Sequence, residues 1–218
     1  PLVVDDTVAS CVNVDVLDVA DVVWSSLTKY FSGVGDVTGG AVVINPRSAA
    51  GEAIGRLMEA DWEDMLWPED VQILEQNSRD FRRRVEAINR NAESLADWLC
   101  EQALVASVHY PKFCDSAEYS RHLRAGGGFG GLLSLELVDP ERNAPRFYDA
   151  LRVCKGPNLG MSYTLACPFT ILAHYNELDF AERCGVSRWL IRVSVGLESS
   201  EQLIAEFENA FDAAQSPD

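Results

Sequence analysis

The sequence predicts an α/β layer followed by a smaller α+β domain. Three observations carry this: Val-rich runs of strand length near the start, one apolar stripe at helical period in the middle, and strand and helix patterns that alternate after Cys100. With 218 residues, 47% of them hydrophobic and 24% charged, the composition is that of a globular chain with room for one large domain or two small ones. The boundary is expected after the stripe, with residues 1–103 on one side and residues 104–218 on the other.

The first strands are expected in Leu2-Val-Val4, Ala20-Asp-Val-Val-Trp-Ser25 and Gly40-Ala-Val-Val-Ile-Asn45. Their nearly continuous apolar character suits strands buried on both faces beneath helices. Asn45-Pro46 ends the third, and Ser48 to Trp62 brings helix formers with Ile54, Leu57 and Met58 on one face, which predicts a helix. From Pro68, with Glu69 and Asp70 in the first turn, apolar residues follow at Leu74, Phe81, Val85, Ile88, Ala92, Leu95 and Leu99. Their spacings of 7, 4, 3, 4, 3 and 4 predict a single helix of about seven turns, long enough to bridge two domains. Its opposite face carries Arg79, Arg82, Arg83, Arg84 and Arg90, expected to pair with acids of the same chain. Beyond Cys100, Val105 to Tyr110, Leu132 to Leu137 and Trp189 to Val195 read as strands; Ala144 to Leu151, Thr170 to Arg183 and Ser200 to Ala214 read as helices. Only the tail Gln215-Ser-Pro-Asp218 is expected to fray.

Charge and motif content exclude several function classes. The 34 acidic against 18 basic side chains give a formal charge of −16, which works against nonspecific attraction to phosphate backbones or anionic lipid, so neither nucleic acid nor membrane is an expected partner. No apolar run approaches the roughly 20 residues that span a bilayer. The opening Pro1-Leu-Val-Val-Asp-Asp-Thr7 has neither an initiator Met nor the pattern of a signal peptide, and a chain that begins on a buried strand is expected to follow an upstream half of the same domain. The six cysteines, Cys11, Cys100, Cys114, Cys154, Cys167 and Cys184, form no Cys-x-x-Cys pair and are expected to be reduced thiols in the cytoplasm. His109, His122 and His174 stand at no metal-ligand spacing, and no metal is expected. The glycine-rich Gly126–Gly131 leads into a strand, whereas a phosphate loop follows one and opens a helix, so it reads as a backbone bend.

Lysine occurs only at Lys29, Lys112 and Lys155. Lys29 follows a predicted buried strand in Ser25-Ser-Leu-Thr-Lys29, and strand ends are where α/β sheets bind ligands. An amine able to form a Schiff base, beside hydroxyls at Ser26 and Thr28 that can donate to a phosphate, fits pyridoxal phosphate. Asp5, after the first strand, is an acid that could keep the ring nitrogen protonated. An exposed loop lysine accounts for Lys29 equally well, and Asp5 and Asp6 could be a turn cap. Arg192 lies in the apolar run Leu190–Val195, where a guanidinium needs an anion: either a structural ion pair or a substrate carboxylate.

These segments, taken in order, carry a resemblance. Val4-Asp-Asp-Thr7, Ser26-Leu-Thr-Lys-Tyr30, Asp36-Val-Thr-Gly-Gly40, Gly128-Phe-Gly-Gly-Leu-Leu-Ser134, Pro157-Asn-Leu-Gly160 and Leu190-Ile-Arg-Val-Ser-Val-Gly-Leu-Glu198 resemble the Cys/Met-metabolism family of pyridoxal phosphate enzymes, from residue 1 to about 211. Ser26–Gly33, Lys155-Gly-Pro157 and Thr164–Thr170 are similar to a fungal branch of its γ-replacement members.

The resemblance implies a fold-type-I transferase architecture: the C-terminal part of the large cofactor domain, a long connecting helix and the small α+β domain. It implies that Lys29 carries the cofactor and shuttles protons, that Asp5 contacts the ring nitrogen, that Ser26 and Thr28 hold the phosphate, and that Arg192 clamps the substrate carboxylate. Asn158 would help position substrate, at a place where the family usually has Ser; Asp6 stands where it usually has Asn. The implied reaction replaces the γ-substituent of an O-activated homoserine by cysteine to give cystathionine, in a homodimer or homotetramer acting in transsulfuration and methionine biosynthesis. A γ- or β-lyase of the same family and a truncated noncatalytic member are the alternatives.

Overall fold

Parallel pairing of the first two strands positions the candidate site. In the computed structural model, which describes residues 1–114 and 116–216, β1 (Val3–Asp5) runs parallel to β2 (Val22–Ser26) with Asp5 opposite Trp24, so the C-terminal ends of both strands share one sheet edge. β3 (Gly40–Ile44) pairs antiparallel on the far side of β2, Ser26 opposite Gly40. The expectation of burial on both faces holds only in the middle: Val22 and Val23 of β2 are buried, whereas Val3, Val42 and Val43 are exposed. β2 has a strand on each side, while β1 and β3 are edges, and α1 (Ala49–Ala60) approaches the sheet through Gly55 and Ile44. Ser48 caps that helix, its hydroxyl accepting from Gly51 N at 3.0 Å.

The predicted single long helix is two helices, α2 (Pro68–Ser78) and α3 (Phe81–Cys100). The break falls at Arg79-Asp80, where Asp80 departs from helical geometry (φ −113°, ψ 11°) and its carboxylate takes Arg84 Nε at 2.7 Å. Arg84 also donates to Asn77 O at 2.7 Å, satisfying a carbonyl that the break deprives of its helical donor. Arg79 pairs with Glu75 at 2.9 Å and Arg83 with Asp80 at 3.5 Å, as the acidic excess implied.

From α3 the chain builds β4 (Val105–His109), α4 (Ser116–Arg121), β5 (Leu132–Leu137), α5 (Pro140–Ala150), β6 (Cys154–Lys155), β7 (Leu165–Pro168), α6 (Phe169–Ala173), α7 (Leu178–Arg183), β8 (Ile191–Ser194) and α8 (Ser200–Gln215). The strands form one sheet in the order β4-β5-β8-β7-β6, antiparallel except for β6 beside β7. The alternating Leu133, Leu135 and Leu137 of β5 are buried, together with Leu95 and Leu99 of α3, Phe147 of α5, and Phe207 and Phe211 of α8. Phe147 stacks on Phe211 with ring centroids 4.8 Å apart. Each such side chain contributes about 1.5–3 kcal/mol on burial.

Several expectations give way here. The helix expected over Thr170–Arg183 is broken at His174 (φ −127°, ψ 28°) into α6, a turn at Tyr175–Glu177 and α7. The helix expected from Ala144 begins at Pro140, and α4, β6 and β7 are additional. Gln215 closes α8 and Ser216 N still donates to Asp212 O at 3.1 Å, while residues 217–218 of the tail expected to fray lie outside the described residues. Among the described residues no helix is long and apolar enough to cross a membrane.

The Gly126–Gly131 bend crosses α3 where a reciprocal pair of buried amides receives it. Asn89 Nδ2 donates to Asn13 Oδ1 at 2.6 Å and Asn13 Nδ2 to Asn89 Oδ1 at 3.1 Å, while Gly128 N and Gly130 N donate to those same two oxygens at 3.0 and 3.2 Å. This ties the loop after β1, the long helix and the small sheet together at one point, and buried amides so paired are costly to break.

Candidate active site

Ser26 ends β2, and the chain turns at once into Leu27–Phe31, a helical turn interrupted at Lys29 (φ −86°, ψ −123°). Because β1 and β2 are parallel, Asp5 lies at the same edge, and two bonds link it to the turn. Thr7 N donates to Asp5 Oδ1 at 2.9 Å, and Ser26 N donates to Thr7 Oγ1 at 2.8 Å. The first is a turn cap, so that reading of Asp5 holds for one oxygen; the other engages no described residue, and Asp5 is exposed. The Ser26 hydroxyl bonds to no described residue, whereas the Thr28 hydroxyl accepts from Gly39 N at 3.0 Å and shapes the following loop.

Opposite this turn lies the segment joining β6 to β7. Lys29 Nζ donates to Asn158 Oδ1 at 2.5 Å, so the half-buried amine is held by a residue far away in sequence. Gly160, at φ +75°, brings the two backbones together: a Cβ there would lie 2.6 Å from Tyr30 N. Arg192 of β8 reaches Asn158 from the other side, its guanidinium donating to Pro157 O and, at 3.4 Å, to Asn158 O, and lying 5.0 Å from the centroid of the Phe169 ring. Among the described residues no carboxylate pairs with it, so none of them supplies the partner of a structural ion pair. Its described contacts are thus carbonyls and a ring, with no anion among them.

Beneath the turn is a cavity of about 170 Å³ lined in part by Asp6, Ser25, Ser26 and Tyr30. Asp6 is buried, with Oδ1 unpartnered. Burial raises its carboxyl above the usual range; the Ser25 hydroxyl opposes, the Asp5 charge adds, and the Arg124 charge opposes. Tyr30, next to Lys29, is 3% exposed, and burial pushes its hydroxyl up to about 12, so it stays protonated at neutral pH. The structure thus brings Asp5, Ser26, Thr28, Lys29, Asn158 and Arg192 into one connected set. Sequence reasoning missed Arg84, which holds the lysine turn; its signal was its place at the edge of the apolar stripe, three residues after Phe81 and four before Ile88.

An amine at a strand end, hydroxyls and an acid on the same edge, and an unpaired guanidinium opposite fit a phosphorylated aldehyde together with an amino-acid carboxylate, which is the donor set of a pyridoxal phosphate enzyme. The chain belongs to the Cys/Met metabolism PLP-dependent enzyme family, whose model matches residues 1–212. It is 46% identical over 215 residues to the cystathionine gamma-synthase of Neurospora crassa, covering 98% of this chain and 34% of that protein. Among solved structures it is similar to cystathionine gamma-lyase from Lactobacillus plantarum complexed with L-serine (TM-score 0.85, 29% identity, 99% of this chain and 56% of that one). It is similar also to cystathionine gamma synthase from Xanthomonas oryzae pv. oryzae in complex with cystathionine (TM-score 0.83, 29% identity, 98% and 55%). The fold is therefore that of the fold-type-I PLP-dependent enzymes, and the chain spans about a third of the length of the curated relative it matches.

Proposed function

We propose that the protein containing this chain is a PLP-dependent enzyme that replaces the γ-substituent of an O-activated homoserine by cysteine, giving cystathionine. The observation that carries this is the Arg192 guanidinium, free of any described carboxylate and joined through Asn158 to the Lys29 amine. When bound, pyridoxal phosphate supplies an electron sink that weakens the substrate bonds next to its amine. Lys29 Nζ would hold the cofactor's carbonyl carbon, the Ser26 and Thr28 hydroxyls its phosphate, and Asp5 its ring nitrogen. Arg192 would fork the substrate carboxylate, fixing the substrate's orientation relative to Lys29. Lys29 Nζ would also take and return protons along the substrate chain, with Asn158 Oδ1 steering the amine from the Arg192 side.

In this reading residues 1–103 are the end of the cofactor domain with its connecting helices, and residues 104–218 are the small domain. Six free cysteines support a reducing, cytoplasmic setting. The exposed Trp62, Met65 and Trp67 support self-association into a homodimer or homotetramer. A γ- or β-lyase is the second reading, favoured by the close similarity to the Lactobacillus plantarum lyase. Incubating the intact holoprotein with cysteine and an O-activated homoserine, and separately with cystathionine, decides between them. New cystathionine by mass spectrometry supports the synthase; cleavage of cystathionine alone supports the lyase; turnover of neither refutes both.

A further inference from the structure

Five arginines line the α2–α3 region, and one of them is not a surface charge. The Arg84 side chain is 7% exposed, and four of the five N–H donors of its guanidinium are met by the protein itself. NH1 donates to Tyr30 O at 2.9 Å, NH2 to Phe31 O at 2.8 Å and to Asn77 O at 2.7 Å, and Nε to Asp80 Oδ1 at 2.7 Å. Tyr30 and Phe31 are the two residues directly after Lys29. Within that turn the carbonyls of Leu27 and Lys29 find backbone donors, Ser32 N at 3.0 Å and Gly33 N at 2.7 Å. Those of Tyr30 and Phe31 are served by Arg84 instead. Gly33, at φ +74°, closes the turn against the same group, and a Cβ there would collide with the guanidinium.

We propose that Arg84 is a positioning residue for Lys29: its planar fork fixes the two carbonyls that follow the lysine and anchors the lysine turn to the break between α2 and α3. The inference rests on the reading of Lys29 as the cofactor-bearing residue. Its physical basis is geometric. A guanidinium can meet three carbonyls in fixed directions, whereas an ammonium is a point charge that cannot reproduce the fork. Loosening the turn displaces Nζ, and a displacement of about 1 Å at a reacting atom can cost about 100-fold in rate. The ion pair with Asp80 orients the guanidinium and is not itself the clamp.

Two variants and one measurement on the unmodified protein test this. In the intact protein stripped of cofactor, Arg84→Lys is expected to slow capture of added pyridoxal phosphate at Lys29, fixed by borohydride and read by mass spectrometry, by about tenfold or more. In the reloaded protein kcat should fall about 10–100-fold with KM within about twofold, the split expected of a misplaced group. Asp80→Asn keeps the carbonyl bonds and should leave the capture rate within about twofold, even if the melting temperature falls. Backbone hydrogen exchange at Ser32 and Gly33 should be slow in the unmodified protein and faster in Arg84→Lys. Exchange at those amides as fast as in an open loop of the unmodified protein would overturn the proposal even if Arg84→Lys does not fold. Capture rate and kcat unmoved in Arg84→Lys, with only the melting temperature lowered, would also overturn it. Absence of any Lys29 adduct in the unmodified protein would instead refute the Lys29 assignment, and the role of Arg84 with it.

Discussion

Replacing Arg192 by Lys separates a substrate receptor from a structural charge. The guanidinium lies half-exposed over the Phe169 ring and donates to Pro157 O and Asn158 O, with no described carboxylate near enough to pair. Lys keeps the charge but loses one arm of the fork toward a substrate carboxylate. A charge-assisted bond contributes about 1.5–3 kcal/mol, and about 1.4 kcal/mol is a factor of ten. Arg192→Lys should therefore raise KM for amino-acid substrates about 10–100-fold. The fold loses only carbonyl contacts and a ring contact, together about 1–2 kcal/mol, which at 2–4 °C per kcal/mol for a chain of this size lowers the melting temperature by about 2–8 °C. Steady-state kinetics and a thermal melt on the same preparation read both quantities. Breaking a buried ion pair would cost about 3–5 kcal/mol, so a melting temperature lowered by more than about 10 °C with KM unchanged would refute the reasoning.

Asp5→Asn should leave the cofactor bound, by its visible absorbance, while turnover falls by orders of magnitude, because an amide does not stabilise a protonated ring nitrogen as a carboxylate does. Asp6→Asn should stabilise the protein at neutral pH: burial raises the folded-state carboxyl above its unfolded value, so the stability that the neutral acid retains at low pH is lost as pH rises through the folded value. Urea melts between about pH 4 and pH 7 should show the unmodified protein losing ground to Asp6→Asn as pH rises, and parallel curves would contradict this. Phe147→Ala, which empties a fully buried ring position between Phe207 and Phe211, should cost about 3–5 kcal/mol in the same melts, with KM unaltered.

What was legible in the sequence was what is local. The strand at Leu132–Leu137 was found to the residue because its alternation is the direct imprint of one buried face. Ser26, Thr28 and Lys29 were legible as a group because a strand end and its turn are contiguous. The break between α2 and α3 was not, because Leu74 and Phe81 are seven residues apart and two helices end to end keep the phase of one. Arg84 bridges it through Asp80 and Asn77, a contact that no periodicity reports. β7 was missed because Leu165-Ala-Cys-Pro168 is too short to show a period. Arg192 could be named from its place in an apolar run and Asn158 from a resemblance, but neither could be joined to Lys29, because that junction is a tertiary approach through Gly160.

The central claim is that Lys29 carries pyridoxal phosphate, and the chain's three lysines make it directly testable. Borohydride reduction of the intact holoprotein, followed by peptide mapping, should place the pyridoxyl group on the peptide containing Lys29 and nowhere else in this chain, and Lys29→Ala should abolish it. A pyridoxyl group on Lys112 or Lys155, or one that survives Lys29→Ala, would contradict the account.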